Sequence, residues 1–444
     1  MWAAGSRCRC RLARRLARRY VPSTTEQIHR PPPVSTAREP VERRITSSVS
    51  TFSVMREENF ALVDKTAQLE RIISSHQKVM LCRPPKFGKT LTVTTLASLF
   101  RGHKHLFDGT ASPDHRPLNI AETAWDWHAE THNVLHFDMA GIARRTGFRA
   151  NLIDVMGRLG RHMGLGDTVN AASVKGATRD LIEGAARLSP SGKVVVLIDE
   201  VDAPVGSALR PLSDAERKVA LASNQRVLSD FLEAIDAQES LIRFQFYTGV
   251  GSVPMSGNVQ DLTFDDFAGS LAGYTIQEVH ENFQKARYAL QHRLKIADEL
   301  DQHIIDWYGG YAWGDVPEAR RLLNPFAVNQ LLVRQDFGPH WSSAVGSHMW
   351  VYDALRGCDI PDIFEGRIPL QSNAMSPWNL QAQGRGDVND IRNLLLRLGL
   401  LTVKEVELDP KSLMRIGTLG VPNLDVHDYS VRPLIDALYL PSAD

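Results

Sequence analysis

The sequence predicts an α/β fold built on a parallel sheet, and two stretches carry this prediction. In the first, the apolar run Val79–Cys82 is followed by a loop rich in Pro and Gly and then by apolar residues at helical spacing. In the second, Val194–Ile198 is a run of five apolar, mostly β-branched residues, typical of a strand buried on both faces of a parallel sheet. Open sheets of this kind bind ligands at the carboxyl ends of their strands.

The loop after the first strand, RPPKFGKT, matches the second half of the phosphate-binding pattern GxxxxGK[ST]. Gly88-Lys89-Thr90 fits the pattern, whereas Arg83 stands where its first glycine is expected. Backbone N–H groups in such a loop point at an anion, and the following helix adds roughly half a positive charge at its N-terminus. Lys89 is therefore predicted to reach the β- and γ-phosphates of a nucleotide, and Thr90 to hold Mg²⁺ through its hydroxyl.

The second buried stretch ends in the acidic pair Asp199-Glu200. Asp199 is predicted to hold the Mg²⁺ shell, and Glu200 to polarise the attacking water. Taken alone, each stretch also fits a buried strand that runs into a turn without any ligand. The two stretches in this order favour a nucleotide site.

At these residues the sequence resembles the AAA-ATPase-like proteins, a P-loop group often fused to a PD-(D/E)xK-type nuclease domain. In that family an Arg-Pro opening replaces the first glycine of the loop, which accounts for Arg83. Further matches occur in order at Val63-Asp64-Lys65-Thr66, Leu135-His136-Phe137-Asp138, IDEVDAP from Ile198, Tyr247-Thr248-Gly249-Val250, Trp307-Tyr308-Gly309-Gly310-Tyr311, Asn324-Pro325-Phe326 and Val421-Pro422-Asn423. The resemblance covers about residues 55 to 435.

The resemblance implies a site for ATP. Its loop would be formed by Arg83, Pro84, Pro85, Lys86, Phe87, Gly88, Lys89, Thr90 and Leu91. Thr248, at the end of a further strand, would sense the γ-phosphate, and Pro325 would touch the base; a Thr that merely ends a strand is the alternative for Thr248. Residues 251–257 form a short uncharged loop, so no arginine finger is expected there.

Length and composition are those of an ordinary globular protein with two or three domains. Of the 444 residues, 51 are Lys or Arg and 51 are Asp or Glu, so net charge favours no class of partner. No apolar run is long enough for a transmembrane helix. The four cysteines form no CxxC pair, which favours a reducing compartment over a disulfide framework or a zinc site.

The chain is predicted to comprise a basic disordered tail (1–50), a P-loop ATPase core (51–275), a helical lid (276–345) and a small α+β domain (346–444). The tail carries seven arginines in its first 25 residues and its first acid at Glu26, a pattern typical of a mitochondrial transit peptide. A nucleic-acid or nuclear-import patch, a membrane-surface helix and an extension without function remain alternatives. Without a transit peptide, the protein is expected to be cytoplasmic or nuclear.

The last hundred residues suggest the order helix, hairpin, helix. Asp390–Gly399 is amphipathic, Leu400–Leu408 and Leu413–Val421 can pair as a hairpin, and Val431–Leu440 is a last helix. This order resembles a winged-helix domain, which is a candidate contact for a protein or nucleic-acid partner. The chain ends where the family's nuclease would begin, so we expect the ATPase part alone.

Two functions follow as hypotheses. The first is an AAA-like or STAND-like ATPase that binds Mg-ATP, hydrolyses it slowly and acts as a conformational switch. The alternative is a nucleotide-binding scaffold or nucleic-acid-associated adaptor without useful turnover. The sequence leaves the oligomeric state and the process that the ATP cycle drives open, and the choice of ATP over GTP rests on the resemblance.

Overall fold

The computed structural model describes residues 43–111, 116–143, 147–169, 172–207, 214–255, 257–296, 299–317, 320–345, 355, 363–364, 366–370 and 388–439. The predicted transit-peptide segment lies outside these residues. In the part of the chain that the structure describes, no helix combines the length and apolar character needed to cross a bilayer.

A five-stranded parallel sheet forms the centre of the molecule. Its strands are β1 (Lys78–Cys82), β2 (Asn133–Asp138), β3 (Val194–Asp199), β4 (Ile242–Gly249) and β5 (Gln260–Asp261), in the spatial order β2-β3-β4-β1-β5. β4 therefore lies between β1, which leads into the loop of residues 83–90 (the GKT loop), and β3, which ends in Asp199. This arrangement brings the ends of β1, β4 and β3 together at one edge of the sheet.

The helices of the first half of the chain cover both faces of this sheet. They are α1 (Phe52–Glu57), α2 (Thr66–Ser75), α3 (Lys89–Phe100), α4 (Met139–Ala143), α5 (Phe148–His162), α6 (Val174–Leu188), α7 (Ala203–Ser207) and α8 (Asp214–Asp236). Successive side chains of a strand point to opposite faces. In β1, Val79 and Leu81 pack with α1–α3, whereas Met80 and Cys82 pack with the core formed by α4–α8.

The helices of the second half pack together as a separate core. They are α9 (Ile276–Asn282), α10 (Gln284–Leu294), α11 (Leu300–Tyr308), α12 (Pro325–Arg334), α13 (His340–Val345), α14 (Val388–Leu398), α15 (Leu424–Val426) and α16 (Arg432–Tyr439). α9 begins with a capping box, in which Thr275 and Glu278 each bond the other's backbone N–H. Several residues of the first half also belong to this second core, among them Phe87 of the GKT loop.

The predicted hairpin near the C-terminus is confirmed. β7 (Thr402–Leu408) pairs antiparallel with β8 (Arg415–Gly420), and β6 (Gly366–Pro369) adds a third strand on the other side of β8. α14 precedes the hairpin, and α16 follows it after a π-helical turn, His427–Val431.

Residues 43–50 of the predicted tail contact the rest of the chain. Arg44 forms a bridge with Phe60, and its guanidinium lies 4.5 Å from the centre of that ring. The carbonyl of Thr46 accepts a 2.8 Å hydrogen bond from Asn329 of α12. Residues 43–50 thus join the ordered molecule because their backbone finds partners in both halves of the chain.

Candidate functional site

The GKT loop joins β1 to α3 through a left-handed turn. Gly88, the residue that precedes α3, has φ = +93°. No heavy atom lies within 4 Å of the position that a Cβ would take there, so glycine is required by the backbone angle and not by crowding. Lys86 also adopts a left-handed conformation, with φ = +67°. Such strain in a non-glycine residue is frequent at ligand-binding loops.

The ammonium of Lys89 points back into the loop. It donates 3.0 Å hydrogen bonds to the carbonyls of Arg83 and Pro84, and the residue is only 5% exposed. A buried ammonium requires acceptors. These carbonyls hold the charge next to the N-terminus of α3, where a phosphate could replace them as acceptor.

Thr248 and Asp199 connect the ends of β4 and β3. The hydroxyl of Thr248 donates a 2.6 Å hydrogen bond to Oδ1 of Asp199, and both residues are buried. The backbone N–H of Glu200 lies 3.4 Å from the same hydroxyl. The backbone N–H of Val201 donates to the Thr248 carbonyl at 2.8 Å, so the two strand ends are fastened through backbone and side chain.

Glu200 is held in a strained and electrostatically unfavourable position. Its φ is +52°, a left-handed conformation for a residue other than glycine. Burial raises the pKa of its carboxyl group, the charge of Lys89 opposes this shift, and Asp199, Asp202 and Asp138 raise the pKa further. A carboxyl group with a raised pKa is the type of group that enzymes use as a general base.

Asp202 is a site residue to which the sequence analysis gave no role. Its two carboxylate oxygens accept hydrogen bonds from the backbone N–H groups of Val250 (3.2 Å) and Gly251 (2.7 Å). It therefore fixes the loop after β4 against the end of β3. The sequence did contain a signal, since Asp202 is the second aspartate of the quoted motif IDEVDAP.

The donor set fits a Mg²⁺ ion that arrives with phosphates. Mg²⁺ usually takes one or two carboxylates, several waters and substrate phosphate oxygens. Asp199 offers the carboxylate oxygen that Thr248 does not use, and Thr90 offers a partly buried hydroxyl at the start of α3. No group of three or more His, Cys, Asp or Glu side chains among the described residues could form a metal site by itself.

Arg83 does not face the site, in contrast to its assignment as a nucleotide contact. Its guanidinium is fully buried, donates to the carbonyls of Cys82 (2.7 Å), Thr263 (2.9 Å) and Gly269 (3.3 Å), and lies 4.3 Å from the ring centre of Trp313. Burial lowers its pKa to about 10. In this structure Arg83 fixes the start of the loop to residues 263 and 269 through its hydrogen bonds.

Two other residues of the loop also contact the second core, Phe87 through its side chain and Pro85 through its backbone. Phe87 is fully buried, and its ring meets those of Tyr311 and Trp313 edge-on, with centroid distances of 4.8 and 5.3 Å. The indole N–H of Trp341 donates a 3.0 Å hydrogen bond to the carbonyl of Pro85. The aromatic side chains of Tyr308, Tyr311 and Trp313 belong to this core, and Phe87 is part of it.

A narrow cleft lies beside the loop and includes the residue predicted to touch the base. Pro325, the first residue of α12, lines this cleft together with Gly88, Leu91 and Tyr274. Its volume is about 70 Å³, whereas ligand pockets usually measure about 300–1,000 Å³. The cleft is therefore closed to a base in this conformation.

Lys65 closes the same cleft from the first half of the chain. Its ammonium forms a 2.5 Å ion pair with Glu278 of α9, and both side chains are mostly buried. Burial lowers the pKa of Lys65, and the charge of Glu278 opposes that shift. The neighbouring Asp64 and Thr66 have a different role, because they accept hydrogen bonds from the backbone N–H groups of Asn119 and Ile120.

Comparison with known proteins identifies a relative and a family. The chain is 27% identical over 419 residues to an "uncharacterized protein in vnfD 5'region" of Azotobacter chroococcum mcd 1, a match that covers 90% of this chain and 71% of that protein. Residues 46–258 match a family model described as "Predicted AAA-ATPase". This stretch includes the GKT loop, Asp199 and Thr248, and it is similar to the AAA-ATPase-like family.

Proposed function

We propose that the protein binds Mg-ATP at the carboxyl edge of the parallel sheet, hydrolyses it slowly and changes conformation with the state of the nucleotide. The observation that supports this most directly is the arrangement of β1, β4 and β3. It brings the Lys89 loop, Thr248 and Asp199 to one edge of the sheet, in a segment that matches an AAA-ATPase-like family. A fold resemblance alone would not support an activity, whereas this set of side chains does.

In this proposal the loop holds the phosphates through its backbone and Lys89. The ammonium exchanges the carbonyls of Arg83 and Pro84 for phosphate oxygens, which are stronger acceptors for a cation. Thr90 and Asp199 would hold Mg²⁺, which when bound neutralises charge on the phosphates.

Glu200 is the proposed general base. Its raised pKa makes its carboxylate a better proton acceptor than an ordinary glutamate. Thr248 would report the terminal phosphate to Asp199 through the hydrogen bond that joins them.

The proposed lid is residues 276–345, with Pro325 against the base. Before a nucleotide can enter, the cleft of about 70 Å³ must widen and the Lys65–Glu278 ion pair must break. Opening would also disturb the contacts of Phe87 and Pro85 with the second core, and so would move the proposed winged-helix-like C-terminal segment. That segment is our candidate surface for a protein or nucleic-acid partner.

The closed cleft also favours a second candidate function, a nucleotide-binding scaffold that turns over little. Lys89 is already satisfied by carbonyls, so binding must replace existing hydrogen bonds before any net gain. Measured multiple turnover by the purified chain would exclude this candidate.

Nucleotide binding and turnover by the full-length chain test both functions. We expect wild type to bind Mg-ATP and turn it over, Glu200→Gln to bind without turnover, and Lys89→Ala to lose binding. Lys175→Ala, a change at a half-exposed ammonium on α6, is the control and should behave as wild type. Unchanged ATP affinity in Lys89→Ala would refute the site; binding without turnover in wild type would favour the scaffold.

A further inference from the structure

The last turn of α14 buries an arginine without a hydrogen-bond partner. Arg397 is 2% exposed, and its Nε, Nη1 and Nη2 atoms all lack partners in the structure as described. A guanidinium carries five N–H donors and is always charged. Burying such a group without acceptors is costly. The position therefore indicates either a strained residue or a site for an anion.

The other buried arginines of the described chain differ from Arg397. Arg56 donates to the carbonyls of Leu106 (2.7 Å) and Arg116 (3.0 Å), Arg83 donates to three carbonyls, and Arg287 forms an ion pair with Asp301. These three residues are explained by their protein partners. Arg397 is not.

Arg397 lies beside the GKT loop. Gly399, two residues later, ends the helix with φ = +81°, and a Cβ built on it would approach the ring of Pro84 to 2.9 Å. The end of α14 therefore rests directly on the loop. Electrostatics place the guanidinium near the end of β1: burial raises the pKa of the Cys82 thiol to about 11, and the charge of Arg397 acts in the opposite direction.

The end of β1 is also the edge at which the terminal phosphate is proposed to lie. Cys82 pairs in register with Gly249 of β4, the residue after Thr248. The loop that follows Gly249 contains no charged residue from 251 to 257, so that strand supplies no cation to the site. The macrodipole of α14 favours a cation at its C-terminus but does not explain why this cation is buried with unused donors.

We infer that Arg397 is a ligand of the terminal phosphate and that it lets the C-terminal segment distinguish a nucleoside triphosphate from a diphosphate. A planar guanidinium matches phosphate oxygens in pairs, which a lysine cannot reproduce. This inference rests on the proposed function, since it requires a nucleotide in the GKT loop. It adds a contact supplied by the same chain from about 300 residues beyond that loop.

The test compares ATP, ADP and inorganic tripolyphosphate on the full-length wild type, Arg397→Met, Arg397→Lys and Arg392→Met. Arg392 lies five residues earlier on α14, so its change to Met removes the same charge from the same helix. We expect Arg397→Met to weaken ATP and tripolyphosphate about tenfold or more, equivalent to about 1.4 kcal/mol, with ADP changed less than about threefold. Arg397→Lys should also lose discrimination, and Arg392→Met should keep it.

The melting temperature of Arg397→Met provides a second readout, because replacing a purely structural arginine would lower it. Without nucleotide, Arg397→Met should melt at the same temperature as wild type or higher, because an unpaired buried charge has been removed. If Arg397→Met melts lower and retains the wild-type preference for ATP over ADP, Arg397 is structural and the inference is wrong. If Arg397→Met does not fold, the inference is equally wrong when Arg397→Lys keeps the wild-type preference for ATP over ADP. Failure of wild type itself to bind ATP would instead refute the proposed function.

Discussion

The indole of Trp341 in α13 donates a 3.0 Å hydrogen bond to the carbonyl of Pro85, across 256 residues of sequence. This contact ties the second core to the backbone of the GKT loop, beside the packing of Phe87 on Trp313. Because the loop is anchored from outside by these aromatic residues, its conformation depends on the position of the second half of the chain. Under the proposed function, nucleotide binding would therefore be coupled to the arrangement of the two halves.

Replacing Trp341 by Phe should destabilise the protein and weaken nucleotide binding together. The Pro85 carbonyl loses its donor and the core loses volume, which together should cost about 2–4 kcal/mol. Denaturant unfolding and ATP titration would measure the two effects. Trp127→Phe is the control, because Trp127 packs on Phe107 away from the loop. A Trp341→Phe protein with wild-type stability and affinity would show that the anchor is dispensable.

Local signals in the sequence were sufficient to predict the elements that carry the proposed nucleotide site. The strand before Arg83, the helix from Lys89, the strand ending at Asp199 and the C-terminal hairpin all carry their own periodicity and turn residues. The capping box at Thr275 is equally local. Each of these features is decided by residues that are close in sequence, so spacing alone reveals it.

The contacts of the loop side chains could not be predicted in the same way. Arg83 and Phe87 look like ligand residues in the motif, yet their partners Tyr311 and Trp313 come from more than 200 residues later. Arg397 stands in a leucine-rich helix, and nothing in its neighbourhood indicates that this helix ends against Pro84. Such pairings depend on the tertiary arrangement, which periodicity does not encode.

Removing the hydroxyl of Thr248 should affect both folding and turnover. Thr248→Val leaves Oδ1 of buried Asp199 without its donor, which should destabilise the protein by about 1–3 kcal/mol. If Thr248 reports the terminal phosphate, turnover should fall as well. Thr178→Val is a matched control, because the hydroxyl of this buried Thr bonds only within α6 and to Met156. Equal losses in the two variants would argue against a special role for Thr248.

Replacing Glu200 should separate catalysis from stability. Loss of the base should lower turnover at least about 100-fold in Glu200→Gln, whereas Glu200→Gly should in addition relieve a left-handed backbone strain of about 1 kcal/mol. We therefore expect Glu200→Gly to be inactive and more stable than Glu200→Gln in urea unfolding. The reverse order of stability would contradict the strain at this residue.

The pH dependence of the same site follows from the raised pKa of Glu200. The folded state binds the Glu200 proton more tightly than the unfolded state, so this contribution to stability is present at low pH and is lost as the pH rises through the folded pKa. Glu200→Gln should therefore be more stable than wild type at neutral pH, with a difference that shrinks on acidification. Wild-type turnover should fall on acidification as Glu200 becomes protonated, and the midpoint of this fall should lie above the ordinary glutamate pKa of about 4.3. A stability difference that grows on acidification would have the wrong sign.

The Lys65–Glu278 pair should control how quickly a nucleotide enters and leaves. Both groups line or border the closed cleft, and their 2.5 Å contact joins α9 to the first half of the chain. A double-mutant cycle with Lys65→Met and Glu278→Gln isolates this contact, because Gln preserves an acceptor for the backbone N–H of Thr275. We expect a coupling energy of about 1–2 kcal/mol and faster nucleotide dissociation in each single variant. The exposed pair Arg44–Glu58 is the control and should couple by less than about 1 kcal/mol. If nucleotide dissociation keeps its wild-type rate while the pair couples strongly, the ion pair stabilises the fold without gating the cleft.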